Sequence, residues 1–316
     1  MKSLFLQSQI FNISFILDLI FGDPHYRLHP VRLIGRLIEL LYRNISLENK
    51  KTKGAAIVVF SVVICLIIYF FIKKISGKLW IFWDIYLCYS FIALKDLFDH
   101  INPLKEALEK EDLDEARRLI SRVVGRDPER LDREGIIRAA VETISENFVD
   151  GFLSPLFWFS VGCIFGYPVA FMLFYKVVNT LDSMLGYKTE ELKEVGYFSA
   201  KLDDIMNFIP ARISLFIFFT VALFLRLDAK RALSVALRDR LKHESPNSGH
   251  PEAFFAGLLG IRLGGPTYYP YGLVKKGFLG DERRRPSVSD ISFSLRFSGY
   301  SAIFSVLLLN LWAALL

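Results

Sequence analysis

The run A-A-I-V-V-F-S-V-V-I-C-L-I-I-Y-F-F-I, Ala55 to Ile72, decides the fold class. It contains no charge, and as a helix it is long enough to cross roughly 30 Å of hydrocarbon with its backbone polar groups satisfied internally. The remaining sequence agrees. Of the 316 residues 53% are hydrophobic, 29 are phenylalanine and the mean hydropathy is +0.35, which is too apolar for an ordinary soluble domain.

Ser298 to Leu316 is a second uncharged run of similar length, whereas Leu79 to Leu94 carries Asp84 and Ile213 to Leu225 is short for a full crossing, so these two rank lower as spans. Leu4 to Phe21 contains Asp18, follows a single basic residue, Lys2, and leads into G-D-P-H instead of a small-residue cleavage site. It reads as a retained helix rather than a signal peptide. Phe152 to Tyr175 is interrupted by Gly166-Tyr167-Pro168, leaving two pieces of the length of re-entrant or buried segments. It is expected to dip into the membrane and return, which would leave the polar clusters on its two flanks in one compartment.

Lys95 to Gly151 is polar, but Leu104, Leu108, Ala116, Leu119, Ile120 and Val123 recur at helical spacing, with a break at Gly125-Arg126-Asp127-Pro128. No period-2 alternation, internal repeat or Gly/Ser-rich linker is visible. The expectation is an all-α, polytopic helical membrane protein: one domain over residues 1–316, with several spans or re-entrant segments and a polar helical layer, 95–151, at one membrane face.

Cys65, Cys88 and Cys163 sit in apolar runs without metal-ligand spacing, so neither a disulfide framework nor a zinc site is indicated. The net charge of +6 suits basic loops retained on the cytoplasmic side or attraction to anionic substrates. Loop 22–54 supports the first with Arg27, Arg32, Arg36, Arg43, Lys50, Lys51 and Lys53. Lys73, Lys74 and Lys78, between two candidate spans, run against a simple alternating count. No nucleic-acid motif is present. The expected location is the cell (cytoplasmic) membrane as a multi-pass protein, with the lipid bilayer as partner.

Five polar clusters interrupt the apolar sequence. Asp18, Asp23, Pro24, His29, Pro30 and Arg32 form a loop stiffened by two prolines, which would hold His29 and Arg32 in place; a capped helix with a basic interfacial anchor is the plainer account. Glu142, Glu146 and Asp150 recur at i, i+4 and i+8, so on a helix they form a carboxylate ridge whose mutual repulsion a bound cation, Mg²⁺ above all, would relieve. A solvated acidic face is the alternative.

In Y-K-V-V-N-T-L-D-S-M-L-G-Y-K, Lys176, Asn179 and Ser183 share a helical face, Asp182 follows Asn179 by three, and Lys188 lies beyond Gly186; this is either a cavity lining or a buried structural network. In K-L-D-D-I-M-N-F-I-P-A-R, Asp203 and Asn207 lie one turn apart with Asp204 beside them, and Arg212 closes the segment; a helix cap with an interfacial arginine is the alternative. The fifth cluster, His243 to Gly265, combines His243, Ser245, Asn247 and Glu252 with Gly257, Gly260, Gly264 and Gly265, whose N–H groups could cradle phosphate beside Arg262. The glycines also suit plain helix packing. Neither a P-loop nor a Rossmann fingerprint occurs.

Taken in order, D-L-I-F-G-D-P, H-P-V-R-L-I-G, A-V-E-T-I-S-E-N-F-V-D-G, N-T-L-D-S-M-L-G-Y-K, L-D-D-I-M-N-F-I-P-A-R and S-P-N-S-G-H-P-E-A-F-F-A-G-L-L-G-I-R-L-G-G resemble the adenosylcobinamide-phosphate synthase family of cobalamin biosynthesis, an integral-membrane group. The likeness runs from about Asp18 to Gly265 and departs at His250, where tryptophan is expected, and at Glu244, where proline is usual. It implies an ATP-dependent acid–amine ligase that joins a propionate of adenosylcobyric acid to aminopropanol phosphate, or aminopropanol, giving adenosylcobinamide phosphate. The implied cosubstrate and ion are ATP and Mg²⁺. The implied partners are the corrinoid and the amine, with a homo-oligomer or later cobalamin-pathway enzymes as further candidates.

Chemistry, not the resemblance, assigns the individual roles. Glu142, Glu146 and Asp150, with Asp203 or Asp204, are assigned to metal, and Lys188, Arg212 and Arg262 to anions. His243 or Glu252 is assigned to proton removal from the amine. His29, Arg32, Asn179, Asp182, Asn207, Ser245, Asn247 and the four glycines are assigned to substrate or nucleotide binding. Two other classes compete: a transporter of an anionic or corrinoid substrate, against which the absence of paired broken helices counts, and a noncatalytic membrane scaffold, which does not explain why Asp, Asn, Arg and Gly gather at segment ends.

Overall fold

The computed structural model describes residues 2–23, 26–186, 192–269 and 272–315, and among them helices dominate. In chain order these are α1 (Lys2–Phe21), α2 (Pro30–Asn44), α3 (Lys50–Ile75), α4 (Trp80–Phe91), α5 (Leu94–Glu109), α6 (Leu113–Ile120), α7 (Arg133–Phe148), α8 (Ser154–Phe165), α9 (Pro168–Leu185), α10 (Tyr197–Phe224), α11 (Ala229–Asp239), α12 (Gly249–Leu259) and α13 (Val288–Leu315). Four short strands, β1 (Leu263–Gly264), β2 (Thr267–Tyr269), β3 (Gly272–Val274) and β4 (Phe278–Leu279), pair antiparallel as β1 with β4 and β2 with β3. Strands of two or three residues are too short to leave an alternation in the sequence.

Five helical segments are long and apolar enough to cross a membrane: Leu4–Phe21, Lys50–Ile75, Arg133–Phe165, Tyr197–Phe224 and Val288–Leu315. The chain is therefore a helical multi-pass membrane protein, and α3 is among its spans. Three of the five differ from the sequence expectation. The charges of Lys201, Asp203, Asp204 and Arg212 hide the first half of α10, so only Ile213 to Leu225 looks apolar, yet the helix begins at Tyr197. A π-helical turn, Val149–Leu153, carries α7 into α8 without a break, so the segment beginning at Phe152 continues a longer helical run. α13 likewise starts upstream of Ser298, at Val288.

Leu79 to Leu94 yields only α4, 12 residues long, and its Asp84 is buried. Tyr69 Oη donates to Asp84 Oδ1 at 3.0 Å and Lys73 Nζ to Oδ2 at 2.7 Å. Lys73 is thus matched by a carboxylate on the neighbouring helix, which removes part of the charge conflict in the Lys73, Lys74, Lys78 cluster. The chain turns back at Gly166-Tyr167-Pro168, where Gly166 caps α8 in the left-handed region, φ 79°, and α9 packs along α8; the part of Phe152 to Tyr175 before this turn belongs to the candidate span Arg133–Phe165, not to a separate short segment. A Cβ on Gly162 would lie 2.7 Å from Pro168 Cα, so the close approach requires glycine.

The sequence reads as one domain over 1–316, whereas internal contacts gather into two compact units. The first comprises Met1–Lys95, Asp150–Asn207 and Val306–Leu316; the second comprises Asp96–Val149 and Phe208–Ser305. Their segments interleave and the joins fall inside helices, so no linker composition marks them. In the first, α1 packs on α4, and α9 packs on α2, α3 and α4, with Phe11 edge-on to Phe152 and Phe159. In the second, α11 and α12 pack closely and α7 lies against α12, around Phe148, Phe218, Phe254, Phe255 and Phe297.

Residues 95–151 are helical, as the spacing of their apolar residues predicts, and contain α5, α6 and α7, the last of which runs into the candidate span Arg133–Phe165. Asp112 and Asp132 cap α6 and α7 by accepting from Glu115 N–H and Gly135 N–H.

Candidate active site

The second unit collects one polar group from α7, the loop before it, α12 and the strands. Glu142, buried on α7, receives Arg126 on one oxygen and the Gly264 N–H on the other, at 2.7 Å. One turn on, Glu146 Oε1 accepts from Ser248 Oγ at 2.6 Å. His243 and Glu252 face each other, with Nε2 3.7 Å from Oε1.

The tautomer of His243 follows from its other nitrogen. Ser245 N–H donates to Nδ1 at 2.9 Å, so in the neutral ring the proton sits on Nε2 and points toward Glu252. Burial lowers the His243 pKa, with Glu146 opposing and Lys276 assisting, which keeps the ring neutral. Burial and then the Glu146 charge push Glu252 up to about 8, against the pull of Arg126 and Lys276. A carboxyl group tuned to that value both holds and accepts a proton near neutrality, as acid–base catalysis requires.

The Ser245–Asn247 loop is built locally: Ser245 Oγ accepts from the N–H groups of Asn247 and Ser248, both at 3.2 Å. Arg212 donates to Asn247 Oδ1 at 3.5 Å and to Phe208 O at 2.6 Å, and lies over the Phe208 ring. His250, buried beside it, is pushed down to about 4 by burial and then by Arg212.

The glycines of this stretch have structural work. A Cβ on Gly257 would lie 2.8 Å from Val235 Cβ and 2.9 Å from Ala232 Cα, so its role is the close packing of α12 on α11. Gly260 caps α12 at φ 66° and its N–H donates to Ala256 O. Gly264 N–H binds an anion, but the anion is the carboxylate of Glu142, and Gly265 N–H is taken by Gly277 O. With those donors committed inside the protein, packing and capping account for the glycines in this structure. Arg262 pairs with Glu282 and lies over the Phe278 ring.

The first unit holds the other polar group. Asp203 on α10 accepts from Asn179 Nδ2 on α9 at 3.4 Å and from Asn207 Nδ2 at 2.9 Å, so the third and fourth sequence clusters meet. Asn207 Oδ1 in turn accepts from Ser154 Oγ at 2.6 Å and Tyr175 Oη at 3.0 Å, and Tyr175 Oη is also within 3.0 Å of Asp150 O. Asp182 acts on Asp203 electrostatically, and Asp204 lies 3.7 Å from Lys201 Nζ.

In the loop between α1 and α2, His29 Nε2 lies 3.2 Å from Asp23 Oδ1, and burial lowers the His29 pKa, with Asp23 opposing. Arg32 donates to Tyr26 O at 3.4 Å. Asp18, fully buried, accepts from Lys95 N–H at 3.2 Å. Lys188 lies outside the described residues.

No three His, Cys, Asp or Glu side chains gather in a metal-binding arrangement among the described residues. Glu142 and Asp203 use both oxygens inside the protein. Glu146 Oε2 has no hydrogen-bond partner among the described residues, which leaves one carboxylate oxygen for an ion. That is enough for Mg²⁺ carried by phosphates, since this ion is commonly held by one or two carboxylates plus substrate.

Sequence reasoning passed over Arg126, Ser248, Tyr175, Ser154 and Lys276. In the sequence Arg126 shows only as part of a helix break, Ser248 only as an unremarked position of the S-P-N-S-G motif, and Lys276 lies beyond the last motif. Tyr175 and Ser154 are ordinary residues of apolar helices until the fold sets them on Asn207.

The chain matches the family model described as CobD/Cbib protein over residues 11–298. It is 43% identical over 291 residues to the cobalamin biosynthesis protein CobD of Clostridium perfringens, covering 88% of this chain and 89% of that one. With CobD of Photorhabdus laumondii it shares 40% identity over 96% of each chain, and with CbiB of Salmonella typhimurium 38% over 94% of each. No solved structure matches it.

Proposed function

The chain belongs to the CobD/Cbib family, and from that premise we propose that it is an ATP-dependent acid–amine ligase, joining adenosylcobyric acid to aminopropanol phosphate to give adenosylcobinamide phosphate. Relatives named as cobalamin biosynthesis proteins support a role in that pathway, and five long apolar helices support a multi-pass place in a membrane. One observation of geometry supports an acid–base step in this reaction: His243 Nε2 lies 3.7 Å from Oε1 of the buried Glu252, whose carboxyl burial pushes up to about 8.

A carboxylate is a poor acylating agent, so a propionate oxygen would first attack the γ-phosphorus of ATP, giving an acyl phosphate and ADP. The amine nitrogen then attacks the acyl carbon and the C–O bond to phosphate breaks, releasing inorganic phosphate. The nitrogen must lose a proton to become a neutral amide. Of the two candidates Glu252 is the acceptor, because His243 Nδ1 already accepts from Ser245 N–H and Nε2 then carries the ring proton, which leaves the neutral imidazole no free lone pair. His243 positions that carboxylate. Mg²⁺, held by Glu146 and the nucleotide phosphates, would neutralise charge on the transferring group. Asn247 and Arg212 offer an amide and a fixed positive charge to an anionic substrate.

Sustained release of ADP should require both the corrinoid acid and the amine, whereas the acid alone should support no more than a single turnover. Glu252→Gln should lower amine-dependent turnover by roughly 10²–10⁴-fold and His243→Gln should lower it less, and unchanged turnover in both variants would remove the acid–base assignment.

A further inference from the structure

A separate pocket of about 300 Å³ opens in the second unit, lined by Arg126, Arg130, Arg138, Asp127, Asp132 and Tyr268 among others. None of its three arginines belongs to the motifs above. Three guanidinium groups face two carboxylates, and those carboxylates already have local work: Asp127 Oδ1 accepts from Glu129 N–H at 3.2 Å, and Asp132 Oδ1 accepts from Gly135 N–H at 2.6 Å as the cap of α7.

The arginines are held loosely in return. Arg130 Nε lies 3.3 Å from Asp127 Oδ2 and its guanidinium sits over the Tyr268 ring at 4.2 Å. Arg138 comes no closer than 3.9 Å to Asp132 and 3.8 Å to Glu134. Among the described residues neither side chain makes a hydrogen bond, although a guanidinium carries five donors in a planar fork. Arg126 is different: it is tied to Glu142, which also receives the Gly264 N–H, so the pocket wall connects directly to the α7 ridge and Glu146.

Unused guanidinium forks converging on a small polar cavity are suited to phosphate, which they bind bidentately at two oxygens. The volume sits at the low end of the roughly 300–1,000 Å³ of small-molecule sites, which excludes a corrin macrocycle.

We propose that this pocket binds the phosphate group of a small phosphate-bearing substrate of the reaction, with Arg130 and Arg138 as its primary ligands and Arg126 as its link to the acid–base group. The identity of that substrate rests on the ligase reading; the affinity for phosphate does not. The phosphate could belong to the nucleotide or to the amine.

The test is binding of inorganic triphosphate to the detergent-solubilised full chain in EDTA, for the wild type, Arg130→Gln and Arg138→Gln. Arg130 is exposed and Arg138 half-buried, and thermal unfolding checks that each variant folds. The expected result is saturable binding by the wild type, weakened at least tenfold in each folded variant, and displaced by ATP or by aminopropanol phosphate but not by free aminopropanol; whichever competes identifies the source. No wild-type binding, binding unchanged in either variant, or binding that neither substrate displaces would overturn the proposal. Arginine-dependent triphosphate binding without any amide product would instead sink the ligase reading and leave the pocket an anion site.

Discussion

At the scale of single residues, Glu252 carries the sharpest expectation, because its stability and activity effects have opposite signs in pH. Its folded pKa, about 8, lies above the ordinary 4.5, so the folded state keeps a proton that the unfolded chain releases. The stabilisation is fully present below about 4.5, declines as pH rises, and is gone once pH has passed about 8. Activity should do the reverse and rise toward pH 8 as the carboxylate forms. Glu252→Gln mimics the protonated acid, so its thermal unfolding temperature should be flatter between pH 6 and 9 than that of the wild type, while turnover falls by roughly 10²–10⁴-fold. A variant with the wild-type slope in unfolding would show that the carboxyl does not titrate as described.

Glu146→Gln, which leaves the Ser248 contact an acceptor, should raise the Mg²⁺ concentration needed for half-maximal turnover; an unchanged Mg²⁺ dependence would remove Glu146 from the ion. The residue types at this scale were legible in the sequence, since charged and amide groups in an oily chain stand out. Their partners were not. Glu142, for example, presents itself as one step of a carboxylate ridge, and only the fold reveals that Arg126, sixteen residues away, and the Gly264 N–H occupy it.

At the scale of elements, helices whose apolar runs are unbroken were readable and those with charged halves were not. α3 follows from its composition alone. α10 does not, because Asp203, Asp204, Asn207 and Arg212 mask a helix that is continuous from Tyr197 to Phe224. The same holds where the π turn at Val149–Leu153 joins a polar helix to an apolar one. The packing of α11 on α12 gives this scale its test. Gly257→Ala should destabilise the protein by about 1–3 kcal/mol, as overpacking at a tight helix contact does, because its Cβ would meet Val235 and Ala232. Gly125→Ala, with nothing within 4 Å, should stay within about 0.5 kcal/mol of the wild type. Denaturant unfolding in detergent compares the two; equal losses would place the constraint elsewhere than at the helix contact.

At the scale of the whole molecule, the class of fold was legible because hydrocarbon admits few architectures, and the order of the motifs carried the family. The division into two units was not legible, since each is assembled from interleaved segments. The basic residues of segment 22–54 predict, by the bias of basic residues toward the cytoplasmic face, that this segment faces the cytoplasm. A cysteine at the exposed Glu48 should therefore react with a membrane-impermeant maleimide in inverted vesicles and not in intact right-side-out ones; the opposite pattern would put the segment on the outer face.

The most direct measurement is product analysis with the whole, detergent-solubilised protein. Adenosylcobyric acid, aminopropanol phosphate, ATP and Mg²⁺ are incubated with it, and the corrinoid fraction is weighed by mass spectrometry. The account predicts a new corrinoid with the mass of the amide, formed only when ATP is present and lost in Glu252→Gln. Unaltered adenosylcobyric acid with both the phosphorylated and the free amine would contradict it.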